Sequence, residues 1–350
     1  PFYTIVLKDK NRDYKLKLIE LEETHPLGRL IDLDYFDQSD RSLSRTELNL
    51  PLRKCFLCNN PAFVCARNKT HKVAQLTHFI DNKFKTYFKE IFVDLADYAI
   101  TRELKIETKF GLVSLTSSGS HHDMNHLLML EAKNSILPFF NLMFEAGYQT
   151  DNLTTILKEV RHLGIEAEKK MLQTTSGINC YKGIIFLLGL IIIASSYTLK
   201  TSNKFADIFS NIKLIAHDIY ADFKQPLNTY GSYLYEQYNI KGIRKTAFSG
   251  LQIIQANIAQ ITLNSNDDEL RALLHSYMVK SEDTVFIKRS GSYQNYLKYK
   301  EIIAKYNPHN KSDLKALNEF CLTKSLSFGG SADLLICSIF LIHLKEFFTE

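Results

Sequence analysis

Asn179, Lys182 and Gly183 stand at the head of the most apolar stretch of the chain, Ile184-Ile185-Phe186-Leu187-Leu188-Gly189-Leu190-Ile191-Ile192-Ile193-Ala194. Small residues, a side-chain amide and a lysine before a buried helix expose backbone N–H groups at its positive end and add a full charge, a combination that suits a phosphate. The same residues also serve plain helix formation, with Asn179 as a cap and Lys182 as a solvated first-turn residue. Other segments must decide between the two.

The second group is Ser327-Phe328-Gly329-Gly330-Ser331-Ala332-Asp333, a glycine pair opening the final apolar helix with Ser331 or Asp333 as its natural cap. A third, Gly119-Ser120-His121-His122-Asp123, brings another carboxylate. Three more clusters read as turns between helices: Gly164 to Glu168, Tyr230 to Tyr238 with Gly242 and Arg244, and Glu282-Asp283-Thr284 with Arg289. Each has a structural reading, as caps for Asp123 and Asp333 and as solvated charges for Arg244 and Arg289. Together, several loops converging on one cleft make sense if Mg²⁺ sits between the carboxylates and a triphosphate; otherwise Asp333 repels the anion it faces. Lys182 and Asp333 are then expected as neighbours across one cavity.

Nearer the start, Leu16, Leu18 and Leu21 alternate imperfectly with Lys15, Lys17 and Glu20, which predicts a half-buried strand over Tyr14–Glu22. The turn His25-Pro26-Leu27-Gly28-Arg29 follows. An extended Leu30–Phe36 then puts Asp32 and Asp34 on one face and Ile31, Leu33 and Tyr35 on the other. Two carboxylates there either hold Mg²⁺ carrying a polyphosphate, with His25 and Arg29 meeting the phosphates, or form a solvated acidic edge. Cys55, Cys58, Cys65 and His71 have the donor types of a zinc site, but their spacing is not that of a familiar finger or ribbon, and reduced thiols are the preferred reading.

The elements that position these groups are helical. Phe84, Tyr87, Phe88, Ile91, Phe92, Leu95 and Ala99 recur at three and four, and similar stripes follow at 153–160, 205–219, 270–277 and 334–348. The expectation is a mainly α chain, with a small, partial α+β fragment over 1–82 and a large all-α domain over 83–350. At 45% hydrophobic and 12% aromatic, the composition supports real cores. A formal charge of +5, from 43 basic against 38 acidic residues, is compatible with anionic small molecules and too dispersed for nucleic acid. Six cysteines and no cleavable hydrophobic leader at the start predict a reducing, cytoplasmic setting. The chain begins in what reads as mid-domain, so an N-terminal part is expected to precede it. No charge occurs from Gly183 to Leu199, yet a bilayer span takes about 20 mostly apolar residues. With Gly189, Ser195, Ser196 and Tyr197 inside it, the stretch reads as a buried core helix, and no membrane partner is expected.

Two family resemblances attach to these residues. The run from Arg12 through His25-Pro26-Leu27-Gly28-Arg29-Leu30-Ile31-Asp32-Leu33-Asp34, Leu43-Ser44-Arg45, Arg53-Lys54-Cys55-Phe56-Leu57-Cys58 and Cys65-Ala66-Arg67-Asn68-Lys69-Thr70-His71 closely resembles the C-terminal half of the apo-citrate lyase phosphoribosyl-dephospho-CoA transferases. That resemblance implies transfer of the prosthetic group to a serine of the citrate lyase acyl carrier protein, with Asp32 and Asp34 at the metal and His25, Arg29, Arg45 and Arg53 at phosphates. From about residue 90 to 345 the chain resembles the triphosphoribosyl-dephospho-CoA synthases. The matching segments are Gly119-Ser120-His121-His122-Asp123-Met124, Thr175 to Phe186 and Leu326 to Leu335.

The implied reaction joins the ribose C1 of ATP to the 2′-hydroxyl of 3′-dephospho-CoA and expels adenine. Oxocarbenium character at C1 needs a carboxylate nearby, a proton donor for adenine and neutralisation of the triphosphate. The resemblance accordingly puts Lys182 and Arg289 at phosphates and Asp123 and Asp333 at Mg²⁺. Glu166 or Asp283 would serve the anomeric centre. Asn179, Gly183, Arg244, Gly329, Gly330 and Ser331 complete the nucleotide contacts. The chain departs from the family pattern where that pattern usually reads proline at Phe110, aspartate at Ser114, histidine at Tyr181, glutamate at Thr246, asparagine near Val285 and glycine at Ser290. A fold that binds nucleotide or carrier protein without turnover is the alternative.

Overall fold

Asn125, Asn152, Asn266, Ser292 and Asn310 each stand just before an apolar stripe, and each side chain accepts an N–H from the first turn of the helix that follows. Glu269 completes a capping box on Asn266. The structure, a computed structural model, describes all residues except 1–3, 8–10, 12, 38 and 225–229, and the side chain of Lys224. Arg12, at the head of the N-terminal resemblance, therefore lies outside the described residues. Two compact units divide the chain, Pro1–Glu90 and Ile91–Glu350.

The first unit contains α1 (Asp13–Thr24), α2 (Ala62–Asn68) and the start of α3 (Val73–Leu104). The strand expected over Tyr14–Glu22 is helix α1. Its buried positions are Lys15, Ile19 and Glu22, spaced as a helix face, while Leu16 and Leu21 are exposed. Two polar residues face inward because the Leu33 backbone satisfies them: Lys15 Nζ donates to its carbonyl at 2.8 Å and its N–H donates to Glu22 Oε1 at 2.9 Å. The boundary drawn at Asn82 falls inside α3. Extended pieces of this unit pair only through isolated bridges among the described residues, Phe36 with Ser42 and Lys54 with Pro61.

The second unit continues with α4 (His126–Gln149), α5 (Leu153–Thr174), α6 (Lys182–Lys200), α7 (Phe205–Ile215), α8 (Tyr230–Tyr238), α9 (Ile243–Phe248) and α10 (Gln252–Gln255). Then come α11 (Asp267–Lys280), α12 (Thr284–Arg289), α13 (Tyr293–Ile303), α14 (Lys311–Thr323) and α15 (Gly329–Leu344). The chain is mainly α, as its periodicity predicts. At the centre is α6, packed chiefly on α4 with α5, α7 and α15 around it. It is long and apolar enough to cross a membrane by composition, yet 78% of that window is buried inside the protein, as expected of a core helix. Each Ile or Leu removed from water there contributes about 1.5–3 kcal/mol. Ser196 and Thr198 stay satisfied by donating to the carbonyls of Ile193 and Ala194 in their own helix. Lys109 is buried too, its Nζ 2.8 Å from Glu103 Oε1 and 2.8 Å from the Glu103 carbonyl.

Candidate active site

The chain reverses between α5 and α6 through Ser176 and Gly177, at φ 54° and 90°, a left-handed pair that only glycine adopts freely. Asn179 Oδ1 then accepts the Lys182 N–H at 3.0 Å, satisfying the first N–H of α6 from two residues ahead of the N-cap Tyr181, which makes no side-chain cap bond itself. Lys182 Nζ reaches back to Glu168 Oε1 at 2.5 Å, with the lysine side chain half exposed. Gly183 is glycine for a steric reason: a β-carbon there would lie 1.9 Å from Asp333 Oδ2. The apolar helix therefore presents its first turn to one wall of a cavity, and Asp333 lies against it.

The opposite rim is built by Asp283. Its Oδ1 accepts the N–H groups of Val285 and Phe286, capping α12, while its Oδ2 accepts the N–H and hydroxyl of Ser331 at 2.8 and 3.0 Å, at the start of α15. Neither Ser331 nor Asp333 caps α15; a carboxylate from another segment does, and Ser331 is a donor to it. Gly330 admits this contact, since its β-carbon would meet Asp283 Cγ at 3.0 Å. Asp283, expected at the anomeric centre, is thus occupied on both oxygens. Burial pushes its pKa up despite these bonds. Asp333 is raised well above the ordinary carboxylate range by desolvation and by Asp283 and Glu103 nearby.

The cavity between these helices has a volume of about 660 Å³ and is lined by Lys182, Gly183, Asp333, Gly330, Asp283, Asn179 and Arg244 from the expected set. That is room for a nucleotide-sized ligand. Its third wall is a face of α5. The segment Gly164–Glu168, expected as a turn, lies in mid-helix, so Arg161, Gly164, Ile165 and Glu168 share one side at the i, i+3, i+4, i+7 spacing. Glu166 projects elsewhere, is exposed and does not line the cavity; Glu168 does. Tyr230–Tyr238 is likewise helix, not loop.

Residues that the sequence reading passed over complete the lining. Arg161 pairs in bidentate fashion with Asp222 at 2.9 and 3.2 Å, and Arg244 Nε lies 3.7 Å from the same carboxylate with its guanidinium over Phe223. Burial, with Arg161 nearby, lowers the Arg244 pKa. Glu282, also on the lining, holds Lys245 at 2.5 Å. Five carboxyl groups, Glu168, Asp222, Glu282, Asp283 and Asp333, stand against three cationic side chains. Wherever these carboxyls are ionised they repel a bare polyanion, and a divalent cation carried with it would offset them.

Gly111 and Gly119 allow a second loop pair to stack, since a β-carbon on either would come within 2.3 Å of a backbone oxygen, that of Leu326 or Gly111. Here His121 is buried, its Nε2 2.9 Å from Ser327 Oγ and its Nδ1 2.9 Å from Arg289 Nη2. Asp123 is 3.9 Å from the ring and 59% exposed. Neither Arg289 nor Asp123 lines the cavity. Asp123 does face the turn before α6, where burial and its charge push the Cys180 thiol up to about 11.

Desolvation and Arg289 hold His121 down from 6.5 to about 4, against the opposing pull of Asp123, with His122 adding to the depression. The unfolded chain takes up this proton below about 6.5 and the folded one only near 4, so stability falls as pH drops through that window. His121→Asn should flatten this part of the stability–pH curve in denaturant titrations; an unchanged slope would refute the assignment.

In the first unit residues 31–35 form no strand, though the Ile31 backbone is extended; Asp32 and Asp34 are exposed and Leu33 and Tyr35 half-buried, while Ile31, expected on the inward face, is exposed. Each carboxylate already has a cation: Asp32 pairs with Arg53 at 3.0 Å and Asp34 with Lys15 at 3.6 Å. His25 accepts the Leu27 N–H and meets the Tyr87 ring at a tilt, centroids 5.3 Å apart, and Arg29 donates to the Lys54 carbonyl beside Phe56. Arg45 is spent on Glu22 and Glu23, both at 2.6 Å. Cys55, Cys58, Cys65 and His71, which their spacing left as separate thiols, come together with all their donor atoms within 4.8 Å of one another.

Residues 90–349 match the family model of the ATP:dephospho-CoA triphosphoribosyl transferases, and residues 1–87 match that of the apo-citrate lyase phosphoribosyl-dephospho-CoA transferases. Protein CitXG of Haemophilus influenzae is 31% identical over 97% of this chain and 79% of its own length. Protein CitXG of Leuconostoc mesenteroides subsp. cremoris is 30% identical over 93% and 77%. The 2-(5′′-triphosphoribosyl)-3′-dephosphocoenzyme-A synthase of Haemophilus ducreyi is 31% identical over 82% of this chain and 99% of its own length. No solved structure matches. With the α6 turn, the glycine-paired α15 and the order of the two matched regions all in place, this chain belongs to the ATP:dephospho-CoA triphosphoribosyl transferase family, in the form fused behind an apo-citrate lyase phosphoribosyl-dephospho-CoA transferase region.

Proposed function

We propose that the cavity of the second unit takes ATP and 3′-dephospho-CoA and makes 2′-(5′′-triphosphoribosyl)-3′-dephospho-CoA with release of adenine. The observation that carries this reading is Asp333, half-buried and set against Gly183 in the same cavity as Lys182. The 2′-oxygen of dephospho-CoA forms a bond to C1 of the ATP ribose as the C1–N bond to adenine breaks, and the hydroxyl proton ends on adenine.

Lys182, Arg161 and Arg244 meet the phosphates. When a phosphate oxygen takes Lys182, Glu168 loses its partner and is free to accept the 2′-hydroxyl proton, a role distinct from the place at the anomeric centre expected of Glu166. Asp333 and its neighbours on the α15 wall would hold Mg²⁺, which when bound would offset triphosphate charge; arrival of that cation favours the ionised form of a carboxyl whose pKa desolvation raises. Asp283 positions Ser331 and Val285. Arg289 and His121 position the 119–123 loop, and Asp123 is kept as a charge beside Cys180. In the first unit, His25, Arg29 and the Asp32–Arg53 pair belong to transfer of the product to the citrate lyase acyl carrier protein. A cytoplasmic setting, without membrane or nucleic-acid partner, suits these substrates.

The test is free adenine after incubation with ATP, dephospho-CoA and Mg²⁺. Lys182→Ala should raise KM for ATP roughly tenfold to a hundredfold, the value of a charge-assisted bond to phosphate. Binding of both substrates without any adenine release overturns the reading.

A further inference from the structure

The first unit has little apolar interior. Among its described residues the buried apolar side chains are Ile19, Leu43, Cys65 and Phe88, whereas Ile5, Val6, Leu52, Phe63 and Val73 are exposed. A unit of this size with so few buried side chains needs another source of rigidity. One lies around Cys65.

We propose that Cys55, Cys58, Cys65 and His71 hold a zinc ion in a closed, four-coordinate structural site. Cys58 Sγ is 3.5 Å from Cys65 Sγ and 3.3 Å from His71 Nε2. Tetrahedral zinc, with bonds of about 2.3 Å to sulfur and 2.0–2.1 Å to nitrogen, sets its ligand atoms about 3.5–3.8 Å apart. With all four donor atoms within 4.8 Å of one another, a small contraction about a central ion gives that shell, and the 3.5 Å between Cys58 and Cys65 is too long for a disulfide bond of about 2.05 Å. Three sulfurs and an imidazole also select zinc over magnesium.

The backbone is arranged to bring them there. Lys54 and Pro61 bridge, the Cys55 N–H donates to the Asn60 carbonyl at 2.8 Å, and the Ala62 N–H donates to the Arg53 carbonyl at 2.8 Å, closing a tight loop around Cys55 and Cys58. Pro61 starts α2, which carries Cys65, and Lys69 ends it at φ 49°. The Thr70 N–H then returns to the Cys65 carbonyl at 3.1 Å, turning His71 back onto Cys58. The six residues between Cys58 and Cys65 thus contain a turn and a helix start, which is why the spacing resembles no simple finger.

The same loop anchors Arg29: Lys54 accepts from its guanidinium, Phe56 lies under it at 5.7 Å, and Arg53 Nη2 donates to its carbonyl at 2.9 Å. Zinc there would fix a cationic side chain without touching substrate.

The full chain, purified from zinc-supplemented cells and dialysed, should carry one zinc per chain by elemental analysis. Exchange for Co²⁺ should give the intense visible bands of tetrahedral thiolate cobalt. Cys58→Ala should lose at least nine-tenths of the zinc, whereas Cys180→Ala should keep it. If Cys58→Ala does not fold, His71→Cys decides: it retains the metal and shifts the cobalt spectrum toward four-thiolate coordination. A chain free of zinc that binds no cobalt, one holding iron, a Cys58–Cys65 disulfide by mass, or a His71→Cys spectrum identical to the parent overturns the site. Adenine release from the second unit is a separate readout, so loss of either finding leaves the other standing.

Discussion

Asp333→Asn should reduce adenine release about 10²–10³-fold, the scale of removing one preorganised electrostatic group from a water-poor site. Asparagine keeps the shape against Gly183 but cannot ionise when a divalent cation arrives. The wild-type carboxyl, raised well above the ordinary range, should shed a proton as MgATP binds. Calorimetry in buffers of different ionisation heat should register that proton for the parent and not for Asp333→Asn. Folding should be little changed, or improved, because a desolvated carboxyl is replaced by a neutral isostere. Activity within threefold of the parent, or equal proton release by both, removes Asp333 from the chemistry.

Lys109→Met is expected to cost about 3–5 kcal/mol of folding stability, because it strands the Glu103 carboxylate in the interior. Glu103 and Lys109 are only 3% and 2% exposed. Burial draws the Lys109 pKa down while Glu103 pulls it back up, so the pair exists on the strength of its geometry. Replacing both, as Glu103→Leu with Lys109→Met, should recover most of the loss. Urea unfolding of the single and double variants measures this; a single variant as stable as the parent would falsify the account.

Local chemistry was the legible part of this chain. The stripes at 153–160, 205–219 and 270–277 fall on helices, and the apolar run after Lys182 is the core helix. Lys182, Gly183 and Asp333 are each marked by composition and share a cavity. What escaped the sequence was direction and partnership. Reading Gly164 as a turn put weight on Glu166, when helical spacing carries Arg161 through to Glu168 on the cavity side. The Tyr14–Glu22 segment misled because its inward residues are Lys15 and Glu22, paid for by one backbone unit at Leu33 that no local pattern announces. Asp283 looks like a catalytic acid in isolation; only the fold supplies Ser331 as its partner.

The departures from the family pattern sort in the same way. Thr246 and Val285 line the cavity, whereas Ser114 donates to Glu107 at 2.6 Å, a place where an aspartate would face another carboxylate. Phe110 sits at φ 54° with its N–H on Asn318 Oδ1, a conformation and a bond that proline cannot have.

Because one buried carboxylate fastens the beginnings of α12 and α15, that side of the pocket behaves as a fixed jaw. Prising it open means breaking four hydrogen bonds at once, so incoming nucleotide has to be accommodated by rearranging the exposed pair Lys182–Glu168 and the Arg161–Asp222 clasp opposite. Selectivity for the base should therefore reside in the stationary jaw, and the pace of substrate entry in the mobile one.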